Sequence, residues 1–175
     1  QDVYISTMPN LQLVFFAIIL ITGITSHSVY TNDSIESTDS HLTEAKTFCK
    51  SNNMSENICI LVDMSIHSGK NRINLYDLKK DSILLTGLVS HGCGNSPWGE
   101  YETADSPIFS NTPESHLSSL GKYKIGVRGW SNWGINVNYK LHGLDPTNSN
   151  AYKRIIVLHS WDMVAETPVH PEGTP

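Results

Sequence analysis

The chain has 175 residues, of which 39% are hydrophobic and 17% charged. This length and composition suit one turn-rich globular domain with a core, and they exclude a disordered or collagen-like protein. The formal charge of -5, with basic residues clustered no further than pairs such as Lys79-Lys80 and Lys153-Arg154, argues against nucleic-acid binding.

An apolar stretch near the N-terminus, residues 11–24, predicts a signal peptide. It is shorter than the about 20 residues that a membrane span needs, although a buried N-terminal helix is an alternative. Ser26 and Ser28 have the small-residue spacing of a cleavage site, so we predict a signal peptide over residues 1–28. We expect an exported protein of the periplasm or cell envelope, with no stable membrane span after cleavage.

The positive charge that usually precedes such an apolar stretch is absent here, because no Lys or Arg comes before it. If translation starts at Met8, its amine supplies one charge and residues 1–7 lie upstream of the true start. A polar linker is predicted at residues 29–40, and the folded domain at residues 41–175.

Three cysteines are present, and two of them, Cys49 and Cys59, are close enough in sequence to form a small disulfide loop in an oxidising compartment. Geometry rather than spacing decides such a pairing. It would leave Cys93 as the odd thiol, which is either a small buried apolar residue or a reactive one.

The predicted elements begin with a short amphipathic helix over residues 40–50, where apolar side chains recur at helical spacing. Alternating or compact apolar runs after it predict strands. In chain order the predicted strands are 58–64, 72–78, 82–90, 122–127, 135–141 and 153–159. The sequence therefore predicts a mostly β, sandwich-like single domain with one short N-terminal helix.

Two segments differ from this alternation. Residues 155–158 form an uninterrupted apolar run, so the last strand is predicted to be a central strand buried on both faces. Residues 92–119 are rich in Gly, Pro, Ser and Asn without a strong period, and unstructured loops of that length are often functional.

Four blocks of this sequence, in order, resemble the murein L,D-transpeptidase catalytic-domain family. The resemblance runs from about Phe48 to Pro175 and rests on ILVDMSIHSGKNRINLYDLKKDSILLTGLVSHGCGN, SHLSSLGKYKIG, NWGINVNYKLHGLD and KRIIVLHSWD. It implies a β-rich, sandwich-like domain that acts on peptidoglycan stem peptides. In such enzymes a cysteine attacks the carbonyl of stem residue three, expels the terminal D-Ala and passes the acyl group to an amine or to water.

The resemblance identifies His159 as the catalytic base and acid, because it occupies the strand-end position of the family's histidine. Ser160 resembles a residue that helps to orient that histidine. By itself, a histidine at a strand end is more often structural. The family's Ser-x-Gly-Cys nucleophile segment follows within about twenty residues, so we expect it beyond Pro175. The domain would then be C-terminally incomplete, and the 175 residues on their own catalytically inactive.

Substrate-binding residues are also implied by the resemblance. The SSLGKY segment, with Ser118, Ser119, Gly121 and Tyr123, resembles the family's strand start beside the substrate groove, and Gly121 would let the backbone approach a ligand. A plain turn before a strand is the alternative. His91, in the LVSHG strand end, is counted with the substrate-binding residues.

The segment from Ser90 to Asn95 spells SHGCGN, the pattern that many relatives use around their nucleophile. The family's base lies upstream of that cysteine, whereas His159 lies downstream of Cys93, so we do not assign Cys93 as the main nucleophile. A thiol and an imidazole two residues apart point to one side of a strand, so a thiol hydrolase that uses Cys93 with His91 stays an alternative.

No cofactor and no metal are expected, since the eight His form no H-x-H or H-E-x-x-H pattern and the Cys lack C-x-x-C spacing. A further alternative is a non-catalytic envelope protein that binds peptidoglycan. The sequence leaves the acyl acceptor, the stem-peptide preference and the oligomeric state open.

Overall fold

The computed structural model describes residues 4–6, 33–95 and 107–169, with backbone alone for residues 4–6 and 33–40. The predicted signal-peptide core at residues 11–24, Ser26, Ser28 and residues 96–106 of the long loop lie outside the described residues. The signal peptide, its cleavage site and the function of this part of the loop therefore stay predictions.

The described residues form two small antiparallel sheets and one α-helix, which confirms the mostly β prediction. The first sheet has the order β1 (Tyr4–Ser6), β2 (Ile58–Val62), β3 (Ile73–Asp77), β4 (Ser82–Gly87). The second has the order β5 (Tyr123–Trp130), β6 (Val137–Gly143), β7 (Val157–His159). Helix α1 spans Asp33–Ser51.

Strand β2 lies at the centre of the packing because both of its faces are buried. Ile60 and Val62 belong to a core shared with the second sheet, whereas Cys59 and Leu61 belong to a core shared with α1. Successive side chains of a strand point to opposite faces, so a continuous apolar run such as ICILV fills two cores at once. The result is a layered arrangement of helix, first sheet and second sheet.

The core between the sheets is closed by apolar side chains from β5 and β6. Ile125 is fully buried, and burial of one such side chain contributes about 1.5–3 kcal/mol. The buried members of this core are Ile60, Val62, Met64, Leu120, Tyr123, Ile125, Leu141 and Ala151. This packing holds in place the ends of β5, β6 and β7, which carry several predicted site residues.

Helix α1 starts earlier than predicted and takes in residues 33–40, which the sequence analysis placed in a linker. Those residues have no apolar periodicity, so pattern reading does not detect them.

All six predicted strands exist, and five differ from the prediction mainly in their bounds. The last one was wrong over its first half, since only Val157–His159 is a strand. Residues 151–155 instead form turns, with Ile155 at a φ of 59° and exposed to solvent. Among the described strands β7 pairs with β6 alone, at the edge of the second sheet, and not as the central strand that its apolar sequence suggests.

Strand β1 was not predicted, because it lies before the apolar stretch, in residues that the sequence analysis assigned to a signal peptide or to sequence upstream of the start. It pairs antiparallel with β2, with Tyr4 opposite Leu61 and Ser6 opposite Cys59. Within the described ranges, no helix combines the length and the apolarity that crossing a bilayer requires.

Candidate active site

His159 lies at the C-terminal end of β7, opposite Asn138 of β6, and is half-buried. Its Nδ1 is 2.8 Å from the carbonyl oxygen of Ser160. A carbonyl oxygen only accepts hydrogen bonds, so Nδ1 carries the ring's proton in this bond. Nε2 of the neutral ring then keeps its lone pair, which is the arrangement that a general base requires.

The hairpin loop 131–136, between β5 and β6, supports this histidine. The ring of Trp133 packs against the imidazole, with 5.4 Å between centroids, which is ordinary for a pair of aromatic rings. The backbone N–H of Ile135 donates to Ser160 Oγ at 2.8 Å. These contacts hold the side chains of both His159 and Ser160, because Trp133 packs on the imidazole ring and Ile135 bonds to the Ser160 hydroxyl.

Gly134 is required at the centre of this loop. Its φ is 55°, and an added Cβ would lie 2.1 Å from Ser160 Oγ. No L side chain fits that space without displacing Ser160. The NWGIN letters belong to a block that carries the family resemblance, but the sequence predicted no site role for these residues. An Asn- and Gly-containing loop between two strands was the signal that could have identified it.

Two large side chains near the tip of the same hairpin are exposed to solvent. Trp130 is 73% exposed and Ile135 is 76% exposed. Asn138, which is paired with His159, donates from Nδ2 to the carbonyl of Trp130 across the hairpin. The end of the hairpin near His159 therefore has an open apolar surface rather than a closed core.

A second group of predicted residues, His91, Cys93 and Ser118, is brought together after β4. The N–H of Gly92 donates to Ser118 Oγ at 2.9 Å, and the N–H of Gly94 donates to the carbonyl of His116 at 3.3 Å. A Cβ on Gly92 would collide with the backbone of residues 116–118, so the two segments lie against each other. Cys93 is half-exposed, and its thiol contacts Gly94 O at 3.9 Å rather than a histidine ring.

The fully buried guanidinium of Arg72 lies beneath this second group. It donates to the carbonyls of Val89 and Ile66, and its Nη2 is 3.2 Å from His91 Nδ1. Burial lowers the pKa of Arg72 to about 10, and the nearby Asp63 carboxylate opposes that shift. Arg72 is therefore still a cation at neutral pH. The sequence did not indicate a site role for Arg72, because a basic residue at the start of an alternating strand is usually solvated.

Ser119 and Tyr123 are buried, and their polar groups are bonded within the domain. Tyr123 donates its hydroxyl to Ser119 O at 2.6 Å, and burial raises the pKa of Tyr123 to about 12. Arg154 donates from Nη1 to Ser119 Oγ at 2.9 Å. These contacts anchor the start of β5, and the predicted contact of both residues with substrate stays a prediction.

Gly121 makes the close backbone approach that its position suggests, but towards side chains of the same chain. Its φ is 135°, and an added Cβ would lie 2.7 to 3.0 Å from side-chain atoms of Asn148, Asp145 and Thr147. The N–H of Lys122 donates to Asp145 Oδ2 at 2.5 Å, which ties this turn to the segment after β6. The predicted approach of the Gly121 backbone to a ligand stays a prediction.

In the part of the chain with described side chains, the ring of His159 packs against the loop 131–136 and its Nδ1 bonds to Ser160 O, while Ser160 Oγ accepts from the same loop. None of these contacts goes to Ser118, Ser119, Gly121 or Tyr123. The structure thus divides the predicted site residues into a His159 group on the second sheet and a His91 group at the end of the first.

Cys49 and Cys59 lie in the same core between α1 and the first sheet, both fully buried and both as free thiols. Burial raises the pKa of Cys59 well above its ordinary value, and the neighbouring Cys49 adds to the shift. Neither thiol suits nucleophilic catalysis, which needs an exposed thiolate. Among the described residues, no three His, Cys, Asp or Glu side chains gather as a metal site would require.

The family model of the L,D-transpeptidase catalytic domain matches residues 32–174. Neither a curated protein nor a solved structure matches the chain. The match covers α1, both sheets except β1, and the two histidine groups. The chain therefore belongs to the L,D-transpeptidase catalytic-domain family.

Proposed function

We propose that this domain performs cysteine acyl transfer on peptidoglycan stem peptides, with His159 as the base and acid. The observation that carries the proposal is the hydrogen bond from His159 Nδ1 to Ser160 O, because it leaves the Nε2 lone pair for a thiol proton. Ser160 and the loop 131–136 keep the ring in this state. The nucleophile is a cysteine in a Ser-x-Gly-Cys segment, as the family resemblance implies.

The proposed reaction has two steps. Nε2 of His159 accepts the thiol proton, and the thiolate attacks the carbonyl of stem residue three to form a tetrahedral intermediate. When that intermediate collapses to a thioester, the imidazolium returns the proton to the nitrogen of the departing D-Ala. An amine or water then attacks the thioester, His159 accepts its proton, and the cysteine leaves as the thiol.

The decisive experiment uses the protein encoded by the whole gene, including any codons after Pro175. A tetrapeptide stem is the substrate, and the readouts are released D-Ala and the mass of the acyl-enzyme. We expect His159→Ala to lower the rate by about 100- to 10,000-fold, the usual range for loss of a general base. His142→Gln is the matched control, since His142 is a histidine of the same sheet that stacks on Tyr152.

Unchanged D-Ala release by His159→Ala would refute the assignment of the base. If the whole protein binds the stem but releases no D-Ala and forms no adduct, a non-catalytic peptidoglycan-binding protein becomes the better description. Cys93, the alternative nucleophile, is half-exposed and follows Gly92, whose N–H donates to Ser118 Oγ. We expect Cys93→Ser to retain activity, and its inactivation with normal folding would favour the thiol hydrolase.

We also propose that the protein is exported to the periplasm or cell envelope. The support is the apolar stretch at residues 11–24 and the small residues Ser26 and Ser28. Cleavage near Ser28 would remove β1 and leave β2 without its antiparallel neighbour on that side. N-terminal sequencing of the protein from fractionated cells tests this, and a mature chain that still begins before residue 11 in the cytosolic fraction would contradict it.

A further inference from the structure

The second sheet differs in charge from the chain as a whole. The chain has 17 acidic and 12 basic residues, yet the three strands of this sheet contain Lys124, Arg128 and Lys140 and no Asp or Glu. Their two histidines, His142 and His159, add positive charge whenever they are protonated. A surface that carries one sign of charge attracts ligands of the opposite sign. The second sheet therefore suits an acidic ligand.

The register of the strands places Lys140 on the same face of this sheet as His159. Asn138 and Lys140 are two residues apart on β6, so their side chains point to one face. Asn138 is paired with His159, and paired residues share a face. Tyr139 and Leu158, which alternate with these residues, pack on the core. The opposite face, here called the outer face, carries Lys124, Asn138, Lys140, His142 and His159.

Tyr152, in the turn before β7, shows where the Lys140 ammonium lies on the outer face. Its ring stacks on His142 with 4.5 Å between centroids, and Lys140 Nζ is 5.2 Å from the centroid of the same ring. The ammonium therefore lies towards His142 and away from His159. Within the part of the chain whose side chains are described, it makes no hydrogen bond and no ion pair. Its three N–H donors can bond to an oxygen of a ligand.

A second ammonium, that of Lys124, lies close to His142. Burial, and then the positive charge of Lys124, lower the pKa of His142. His142 is paired with Lys124 and lies four residues from Asn138 along β6, so about 13 Å separates the level of Lys124 from that of His159. An extended peptide of four residues spans at most about 13–14 Å. The outer face is therefore long enough for a stem of four residues.

We propose that Lys140 is a specificity-determining residue that binds a carboxylate of a stem peptide extended along the outer face from His159 towards Lys124. This contact rests on the proposed function, because His159 marks the reacting bond. A tetrapeptide stem carries one carboxylate on the departing D-Ala and an internal one before the reacting bond. The Lys140 ammonium lies away from His159, so it suits the internal carboxylate. A charge-assisted hydrogen bond selects stems in which that group is free.

The first test compares three synthetic tetrapeptide stems on the wild-type protein encoded by the whole gene. One stem has free carboxylates, one has the internal carboxylate replaced by a carboxamide, and one has the terminal carboxylate so replaced. We expect the internal carboxamide to lower kcat/KM about 10-fold, mainly through KM, because a hydrogen bond to a charged group is lost. A loss for the terminal carboxamide alone would identify the terminal carboxylate as the ligand. Equal values for all three stems would overturn the proposal.

The second test assigns the preference to Lys140. Lys140→Gln should lower kcat/KM for the free stem about 10-fold and leave the internal carboxamide stem unchanged, which also shows that the variant is folded. Lys140→Arg keeps the charge and should keep the preference. The matched control is Lys79→Gln, which removes an exposed lysine between β3 and β4 and should change neither value. An unchanged preference in Lys140→Gln, or an equal loss on both stems, would overturn the proposal.

Binding of the same stems to His159→Ala, measured by calorimetry, separates this contact from the proposed function. If wild type releases D-Ala without any preference among the stems, the Lys140 contact fails and the proposed function stands. If no stem reacts but the free stem binds more tightly than its carboxamide, and Lys140→Gln removes the difference, the proposed function fails and the contact stands. If no stem reacts or binds, both fail.

Discussion

The His159 and His91 regions use the same ring nitrogen, Nδ1, to hold an imidazole, but they bond it to opposite kinds of partner. His159 Nδ1 meets a carbonyl oxygen, so it must donate, and Nε2 of the neutral ring keeps its lone pair. His91 Nδ1 meets a guanidinium, so it must accept, and the proton of the neutral ring lies on Nε2. The two rings are therefore opposite tautomers, and the group beside Nδ1 decides which tautomer each ring adopts.

The two regions also differ in the source of their rigidity. His91 depends on a fully buried cation whose donors bond to the backbone, which is a costly arrangement when any partner is lost. His159 depends on a short exposed hairpin loop whose glycine allows a close approach to Ser160. We therefore expect damage to the first region to unfold the domain, and damage to the second to alter the site while the domain stays folded.

The largest effect on stability should come from Arg72→Met. It leaves Val89 O and Ile66 O without their buried donor, and each buried acceptor left unsatisfied costs about 1–3 kcal/mol, so the two together should cost about 2–6 kcal/mol. Urea unfolding measures this loss. Arg128→Met, which removes an exposed arginine, should stay within about 0.5 kcal/mol of wild type. Equal stabilities for the two variants would contradict the claim that the His91 region depends on the buried Arg72.

A smaller effect is expected for Gly134→Ala. The positive φ and the 2.1 Å approach to Ser160 Oγ should cost about 1–3 kcal/mol and turn the His159 ring away from Ser160 O. Gly87→Ala is the matched control, since its Cβ would make an ordinary contact at 3.7 Å with Ile73. A Gly134→Ala protein as stable as Gly87→Ala, with an unchanged ¹⁵N spectrum of the His159 ring, would contradict the role given to the loop.

Alkaline pH tests how Tyr123 anchors Ser119, which directly follows the segment 116–118 that packs on Gly92. The pKa of Tyr123 is about 12 in the folded protein against an ordinary value of 10.0, because burial disfavours the phenolate. Its contribution to stability is complete below pH 10 and is lost as the pH rises towards 12, by about 1 kcal/mol at pH 11. Urea midpoints at pH 9 and 11 should fall further for wild type than for Tyr123→Phe. Parallel curves would exclude Tyr123 as the cause.

Ser160→Ala should have a similar or smaller effect on stability and should leave the His159 tautomer unchanged. It removes the acceptor of the Ile135 N–H at an exposed position, which costs about 1 kcal/mol or less. The carbonyl of residue 160 remains, so His159 should keep its Nδ1 proton. Loss of that tautomer in the ¹⁵N spectrum would show that the hydroxyl, and not the carbonyl, controls the ring.

The smallest effect concerns acid pH and His142, which lies on the same sheet as His159. Burial, followed by the neighbouring Lys124, lowers the pKa of His142 below its ordinary value of 6.5. The unfolded chain therefore binds a proton more readily, so stability is lost as the pH falls below 6.5. His142→Gln should show a shallower acid loss in urea unfolding. An identical slope would assign the acid sensitivity to other groups.

The sequence by itself determined the element types and the family. Alternating and compact apolar runs indicate strands because side chains of a strand point to opposite faces, and ICILV indicates burial on two sides. The position of His159 at a strand end was also readable, and β7 does end there. These features depend on local periodicity and on the order of the motifs, which neighbours distant in sequence do not alter.

Only the tertiary structure decided the contacts and tautomers of the site residues. Arg72 reads as a surface residue until β4 and the segment after it cover it, and the turn at residues 151–155 shortens β7 through bonds that apolar periodicity does not encode. The two tautomers also depend on partners that folding brings to each ring. A histidine's residue type permits it to act as base or donor, and the choice is made by whether the group beside Nδ1 accepts or donates a hydrogen bond.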